Sequence, residues 1–135
     1  MVRVVTERSK SRSGVHACRR MYVIIDLNCN VLDVQPRNTR GIKPMYSRGE
    51  AYESYVDVPA NYMVVQMSFI RGLRGRVKGE FMVLDSKGNL LCRALYRKLK
   101  LRLIGCSEAD KYLKVVKCVT SSLKIPVKRY SVIKG

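Results

Sequence analysis

Phe81-Met-Val-Leu-Asp-Ser-Lys-Gly-Asn-Leu-Leu-Cys-Arg-Ala-Leu-Tyr96 carries the clearest local signal in the chain. An apolar, β-prone run enters at Phe81–Leu84, turn chemistry follows at Asp85–Asn89, and a second run returns through Tyr96. That pattern is a β-hairpin. Just beyond it, Lys98-Leu-Lys-Leu-Arg-Leu103 alternates strictly. As a strand it puts Lys98, Lys100 and Arg102 on one face, about 6.6 Å apart. The two runs are out of phase, because Leu90, Cys92, Ala94 and Tyr96 are even and the later leucines are odd. A bulge or bend near Arg97-Lys98 would restore the phase. A helix over 90–104 is the rival, with Leu91, Leu95, Leu99 and Leu103 four apart; the turn at 85–89, which calls for a short return strand, favours strands.

Working outward, Tyr22–Asp26 and Val31–Gln35 form a second hairpin around Asn28-Cys-Asn30. The two hairpins echo each other, with Asp26 over Asp85 and Asn30 over Asn89. This is either a duplication, with units 21–80 and 81–135, or the same turn chemistry used twice. Asn61–Ile70 is apolar on both faces and reads as a central strand. Ser47 and Glu50 form a capping box for a short helix with Ala51, Tyr52, Tyr55 and Val56 on one face, closed by Pro59. Ser107-Glu-Ala-Asp110 starts the main helix, about 107–123, with Tyr112, Val115, Val116, Val119 and Leu123 on its buried face. Pro126 bars its continuation, and Val127–Ile133 reads as a last strand. The expected architecture is α+β: a small, mostly antiparallel sheet built from β-hairpins with one main helix. A basic extended N-terminal arm, 1–20, precedes a single domain, 21–135.

The charge balance bounds the function. The chain has 135 residues, 27 Lys plus Arg, 10 Asp plus Glu, and a net charge of +17. The arm holds six cations and one acid, and Cys92–Gly105 holds five cations and no acid. Self-repulsion of this size destabilises a compact free protein, and a polyanion relieves it. Nucleic acid also gains affinity by counterion release. Arg exceeds Lys, 15 to 12, and its planar fork suits phosphate and base contacts. Two Phe, no Trp and scattered Tyr argue against a stacked-aromatic platform. No apolar run approaches the ~18 residues of a membrane span. The N-terminus lacks the apolar stretch of a secretory signal.

Other chemistries find little support. Cys18, Cys29, Cys92, Cys106 and Cys118 contain no C-x-x-C, and His16 is the only His. Zinc needs four ligands, usually in two close pairs. Cys29, Cys92 and Cys118 read as buried small hydrophobes in a reducing compartment; a disulfide would fit a hyperthermophile source. No catalytic residue, metal or cofactor is assigned. Asp26 with Asp85 would hold a nuclease metal only if the hairpin tips met. The Arg71–Gly79 loop lacks the phosphate-loop pattern G-x-x-x-x-G-K-[ST].

The residues expected to contact RNA are Arg3, Arg8, Lys10, Arg12, Arg19 and Arg20 in the arm, and Arg37, Arg40, Lys43 and Arg48 in the loop after the first hairpin. Arg71, Gly72, Arg74, Gly75, Arg76 and Lys78 follow in the Gly-rich loop, where Gly79 also permits close approach. Lys98, Lys100 and Arg102 form the strand row. Cations in an arm, in loops and on a strand suit a protein embedded in folded RNA, and no helix-turn-helix or zinc-finger pattern appears. In style, with a small domain, basic extension and Arg/Gly loops, the chain resembles ribosomal proteins, although no family motif is matched. The expectation is therefore a cytoplasmic, non-enzymatic RNA-binding protein of a ribonucleoprotein particle, most simply a ribosomal protein. Its partners are structured RNA and neighbouring particle proteins, with no membrane and no small-molecule substrate. The alternatives are a nucleoid-type DNA-coating protein, a small nuclease or RNA-processing subunit, and a nucleic-acid-packaging protein of a virus or mobile element.

Overall fold

Period-two alternation of apolar side chains extends much further along the chain than the two hairpins. In the computed structural model, residues 1–10, 16–36, 50–71 and 76–133 are described, the side chains of 8–10, 16–19 and 71 excepted. Nine strands and one helix are found among them: β1 Val2–Lys10, β2 His16–Asp26, β3 Val31–Gln35, β4 Glu50–Val56, β5 Tyr62–Arg71, β6 Val77–Leu84, β7 Leu90–Arg97, β8 Lys100–Ile104, α1 Ala109–Ser122 and β9 Arg129–Ile133. All strands join one sheet in the order β4-β1-β2-β5-β6-β7-β8-β9, with β3 also paired to β2. Only the β8–β9 pair is parallel, through the α1 crossover.

The expected α+β class with a small hairpin sheet is therefore corrected to a mostly β fold built on one nine-stranded mixed sheet. The arm is corrected with it. Val2–Lys10 is a strand between β2 and β4, and His16–Arg20 extends β2. Val2 and Val4 are buried, and two buried valines at alternate positions give the basic segment a reason to pair. The short helix after Ser47 is also corrected: Glu50–Val56 is β4, pairing with β1 over its full length. Its Tyr and Val suit a strand as well as a helix, and the long-range pairing decides.

Central β5 has both faces covered, as its two apolar faces predict. On one face Met67, Phe69, Phe81, Ala94, Tyr96, Leu101 and Leu103 form the main core. Helix α1 closes it with Tyr112, Val115, Val116, Val119 and Leu123, all buried. These are the positions its 3.6-residue spacing selects. The helix starts after Glu108, and no side chain caps it. Its end is closed by backbone: Ile125 N–H donates to Thr120 O at 2.8 Å and Lys124 N–H to Ser121 O at 3.3 Å, with Lys124 at φ 55°. That is a Schellman closure, with Lys where Gly is usual.

On the opposite face, Tyr22, Ile24 and Val64 pack under Val2 and Val4. β1 shifts register between Glu7 and Arg8, where it leaves the edge of β2. The buried Gln66 side chain then stands in for the missing strand. Its Oε1 accepts from Val5 N–H at 3.0 Å, and its Nε2 donates to Val5 O at 2.8 Å and Met21 O at 3.0 Å. This satisfies backbone groups that burial would otherwise orphan.

Two disulfides replace the expected buried thiols. Cys29–Cys118 joins the β2–β3 turn to α1, and Cys92–Cys106 joins β7 to the segment after β8. Their Cα separations, 5.7 and 4.5 Å, lie in the range such bridges need. Neither bridge is legible from spacing, because the sheet brings together cysteines 89 and 14 residues apart.

Candidate nucleic-acid interface

The face of the sheet opposite α1 is covered by β1 over β2 and β5, and Leu84 at the turn end of β6 packs against the same cluster. Across the rest of β6 to β9 no described element covers it, and its register aligns like charges. Lys78 opposes Arg97, Arg97 opposes Lys100, and Lys100 opposes Arg129. All four are exposed. The row crosses four strands at about 4.8 Å per step. Like charges directly opposite destabilise a sheet, so this row opposes the fold of the free chain.

The next row holds Glu80, Leu95, Arg102 and Ser131, and extends through Ser68 to Arg20 on β2. Arg93 lies in the third row. It donates to Glu80 Oε1 from Nε at 3.0 Å and Nη2 at 2.6 Å. Lys78, Arg97, Lys100, Arg102 and Arg129 have no ion pair among the described residues. Leu95, Ile70 and Ile133 are exposed between and beside them. The neighbouring aromatic rings, Phe69, Phe81 and Tyr96, all belong to the core on the other side. The open face can therefore bind phosphates and cover apolar sugar edges, but its described residues offer no ring for base stacking.

The strand row expected at Lys98, Lys100 and Arg102 is divided. Lys98 and Leu99 form a tight turn between β7 and β8, both at positive φ, 52° and 60°. The phase shift expected from a bulge or bend near Arg97-Lys98 is made there by a hairpin turn. Positive φ at two non-glycine residues is unusual and concentrates strain. Lys100 and Arg102 remain on the open face, and Lys98 stands at its end beside Arg76 and Lys78.

The Gly-rich loop contracts from both sides. β5 runs to Arg71 and β6 begins at Val77. Gly72, Arg74 and Gly75 lie outside the described residues, as do Arg12, Arg37, Arg40, Lys43 and Arg48. Arg8, Lys10, Arg19 and Arg71 are described only as strand backbone. Gly79 has a packing role. A Cβ there would stand 2.5 Å from Phe69 Cδ1, and that buried ring is held edge-on to Phe81 and Tyr96. Arg3 is remote from the open face and donates to Glu53 Oε2 on β4 at 2.9 Å. That hydrogen bond, with the Glu53 charge, raises its pKa further.

Sequence reasoning missed Arg93, Arg97 and Arg129 as members of one surface. Their alternation with Cys92, Ala94, Tyr96 and Tyr130 was the available signal, but strand order was needed to join them. The hairpin-tip carboxylates are committed to their own turns. Asp26 accepts from Asn28 N–H, Asn30 N–H and Asn30 Nδ2, all within 3.0 Å. Asp85 accepts equivalently from Lys87 N–H, Asn89 N–H and Asn89 Nδ2. The Asn30 side chain, then its backbone, hold Asp26 below the ordinary carboxylate range. At Asp85 burial pushes upward, and the Asn89, Lys87 and Gly88 hydrogen bonds together outweigh it. No group of three or more His, Cys, Asp or Glu that could hold a metal occurs among the described residues. No helix among them is long and apolar enough to cross a membrane. No protein-family model, curated protein or solved structure matches the chain.

Proposed function

We propose that this chain is an RNA-binding structural protein of a ribonucleoprotein particle, and that the open sheet face across β6 to β9 is its phosphate-binding surface. The observation that carries this reading is the like-charge row Lys78, Arg97, Lys100 and Arg129, with Arg102 beside it. A row that opposes folding of the free chain has a physical reason when phosphates lie against it. The absence of rings among that face's described residues favours recognition of backbone over bases. Arg predominates there, which suits bidentate phosphate contacts.

A ribosomal setting is the simplest form of the proposal, with neighbouring particle proteins as further partners. The cytoplasmic placement belongs to the proposal too, and the two disulfides restrict it. Intracellular proteins that keep such bonds for structure are chiefly those of hyperthermophiles.

Titration of structured RNA and duplex DNA side by side over a salt series tests the reading. RNA affinity should fall by about 0.7–0.9 log units per log unit of salt for each phosphate contact. A flat salt response would remove the nucleic-acid reading, and equal or tighter DNA binding would transfer it to a DNA-coating protein.

A further inference from the structure

The cation row ends at a cavity. Lys78 and Arg97 also line it, from strands whose Val77 and Tyr96 face its apolar side, and Arg76 and Lys98 line the same end. Its floor is apolar, made by Val77, Leu99, Ile125 and Pro126. The volume is about 640 Å³, inside the range of about 300–1,000 Å³ typical of small organic ligands. The walls are fixed by hydrogen bonds between distant segments. Tyr96 Oη donates to Pro126 O at 2.6 Å, and Lys128 N–H donates to Leu99 O at 2.7 Å. These bonds clamp the loop after α1 against the β7–β8 turn. That turn carries the two consecutive non-glycine residues at positive φ, so strain is concentrated at the mouth of the cavity.

We propose that this cavity takes one unstacked nucleotide of the bound RNA, its base against Leu99, Ile125 and Pro126 and its phosphate on the Arg76, Lys78, Arg97 and Lys98 rim. This rests on the RNA reading of the open face and adds a specific element to it. A bare phosphate site needs no apolar floor, and a purely apolar ligand gains nothing from four cations at the rim. A nucleotide presents a planar base and an anionic phosphate a few ångströms apart. Single-stranded loops, bulges and ends are the parts of RNA whose bases are free to leave the stack. The protein would then hold a backbone along the row and read the unpaired position at its end.

The test is titration of the intact, oxidised protein with adenosine monophosphate, ribose 5-phosphate and inorganic phosphate, followed by the NMR signals of Leu99 and Ile125. Adenosine monophosphate should shift both signals and bind at least about tenfold more tightly than either sugar phosphate or phosphate, the scale of one good apolar contact. Leu99→Gly removes the floor while suiting the positive φ of the turn. It should weaken adenosine monophosphate by about tenfold or more and leave duplex RNA affinity within about twofold, since the duplex rests on the row. Where that variant fails to fold, the wild-type ligand order decides alone. Equal binding of phosphate and adenosine monophosphate, or no shift at either residue, overturns the proposal. Mononucleotide binding without salt-dependent RNA binding would instead keep the cavity and overturn the RNA reading.

Discussion

One face of one sheet meets two fates. Over β2 and β5 it carries Tyr22, Ile24 and Val64, and β1 lies across it with Val2 and Val4. Over β6 to β9 the same face carries Lys78, Arg97, Lys100, Arg102 and Arg129, and no element covers it among the described residues. Charge follows the same division at the sheet's edges. Edge strand β4 holds Glu50 and Glu53 with no cation, and the edge at β9 starts with Arg129. The covered half gains its stability from burial. The open half is held by the core behind it, and its own surface charges oppose it. Substitutions in the two halves should therefore differ in kind: one set should change stability, the other affinity.

The largest expected effect is in the covered half. Val4→Asp buries a carboxylate in an apolar site and should cost about 3–5 kcal/mol or abolish folding, measured by chemical denaturation. The same result is expected on deleting residues 1–10. Unchanged stability after either change would return residues 1–20 to the status of a free arm. Next is Gln66→Ala, which leaves both polar groups of Val5 without their partner and should cost about 2–3 kcal/mol. Hydrogen exchange at Val5 should accelerate with it; slow exchange there would mean that β1 docks by apolar contact alone.

Gly79→Ala probes the boundary between the halves. The new methyl meets a Phe69 ring that Phe81 and Tyr96 prevent from moving. A loss of about 1–3 kcal/mol is expected from overpacking, with RNA affinity per folded molecule unchanged. Loss of affinity at full stability would restore the phosphate role for this glycine.

The smallest effect concerns the two hairpin tips, one in each half. Both carboxylates have folded pKa values below the ordinary range. Their stabilisation is present at neutral pH and is lost as pH falls below the usual carboxylate range. Asp26→Asn and Asp85→Asn should each flatten the acid limb of the thermal-stability profile slightly, and to a similar degree. A strong effect from only one would show that the turns are less alike than their hydrogen bonds.

These turns also mark how far the sequence was readable. Asp, Asn and the intervening residues specify a turn within five positions, so both hairpins were legible locally, whereas the positive φ at Cys29, equivalent to that at Gly88, was not. The buried face of α1 was legible for the same reason, since its period lies within one element. Pairings between distant segments were not legible. Strand β4 carries residues that suit either a helix or a strand, and only its pairing to β1 decides. The cation row needed the order of four strands, because each strand supplies one member. Both disulfides likewise depend on the folded sheet. The Arg/Gly loop looked distinctive because of its composition, but Val77, Lys78 and Gly79 are strand residues, and Gly79 answers to Phe69.

On the proposed function the open half is cationic for a phosphate backbone. Fluorescence anisotropy of a structured RNA across a salt series, comparing wild type with the Lys100→Ala/Arg102→Ala/Arg129→Ala triple variant, addresses it most directly. The triple variant should bind more than about tenfold more weakly, and its salt slope should fall by the equivalent of about two or three phosphate contacts. Its thermal stability should equal or slightly exceed that of wild type, because like-charge opposition is relieved. Wild-type affinity and slope in the triple variant would contradict the account.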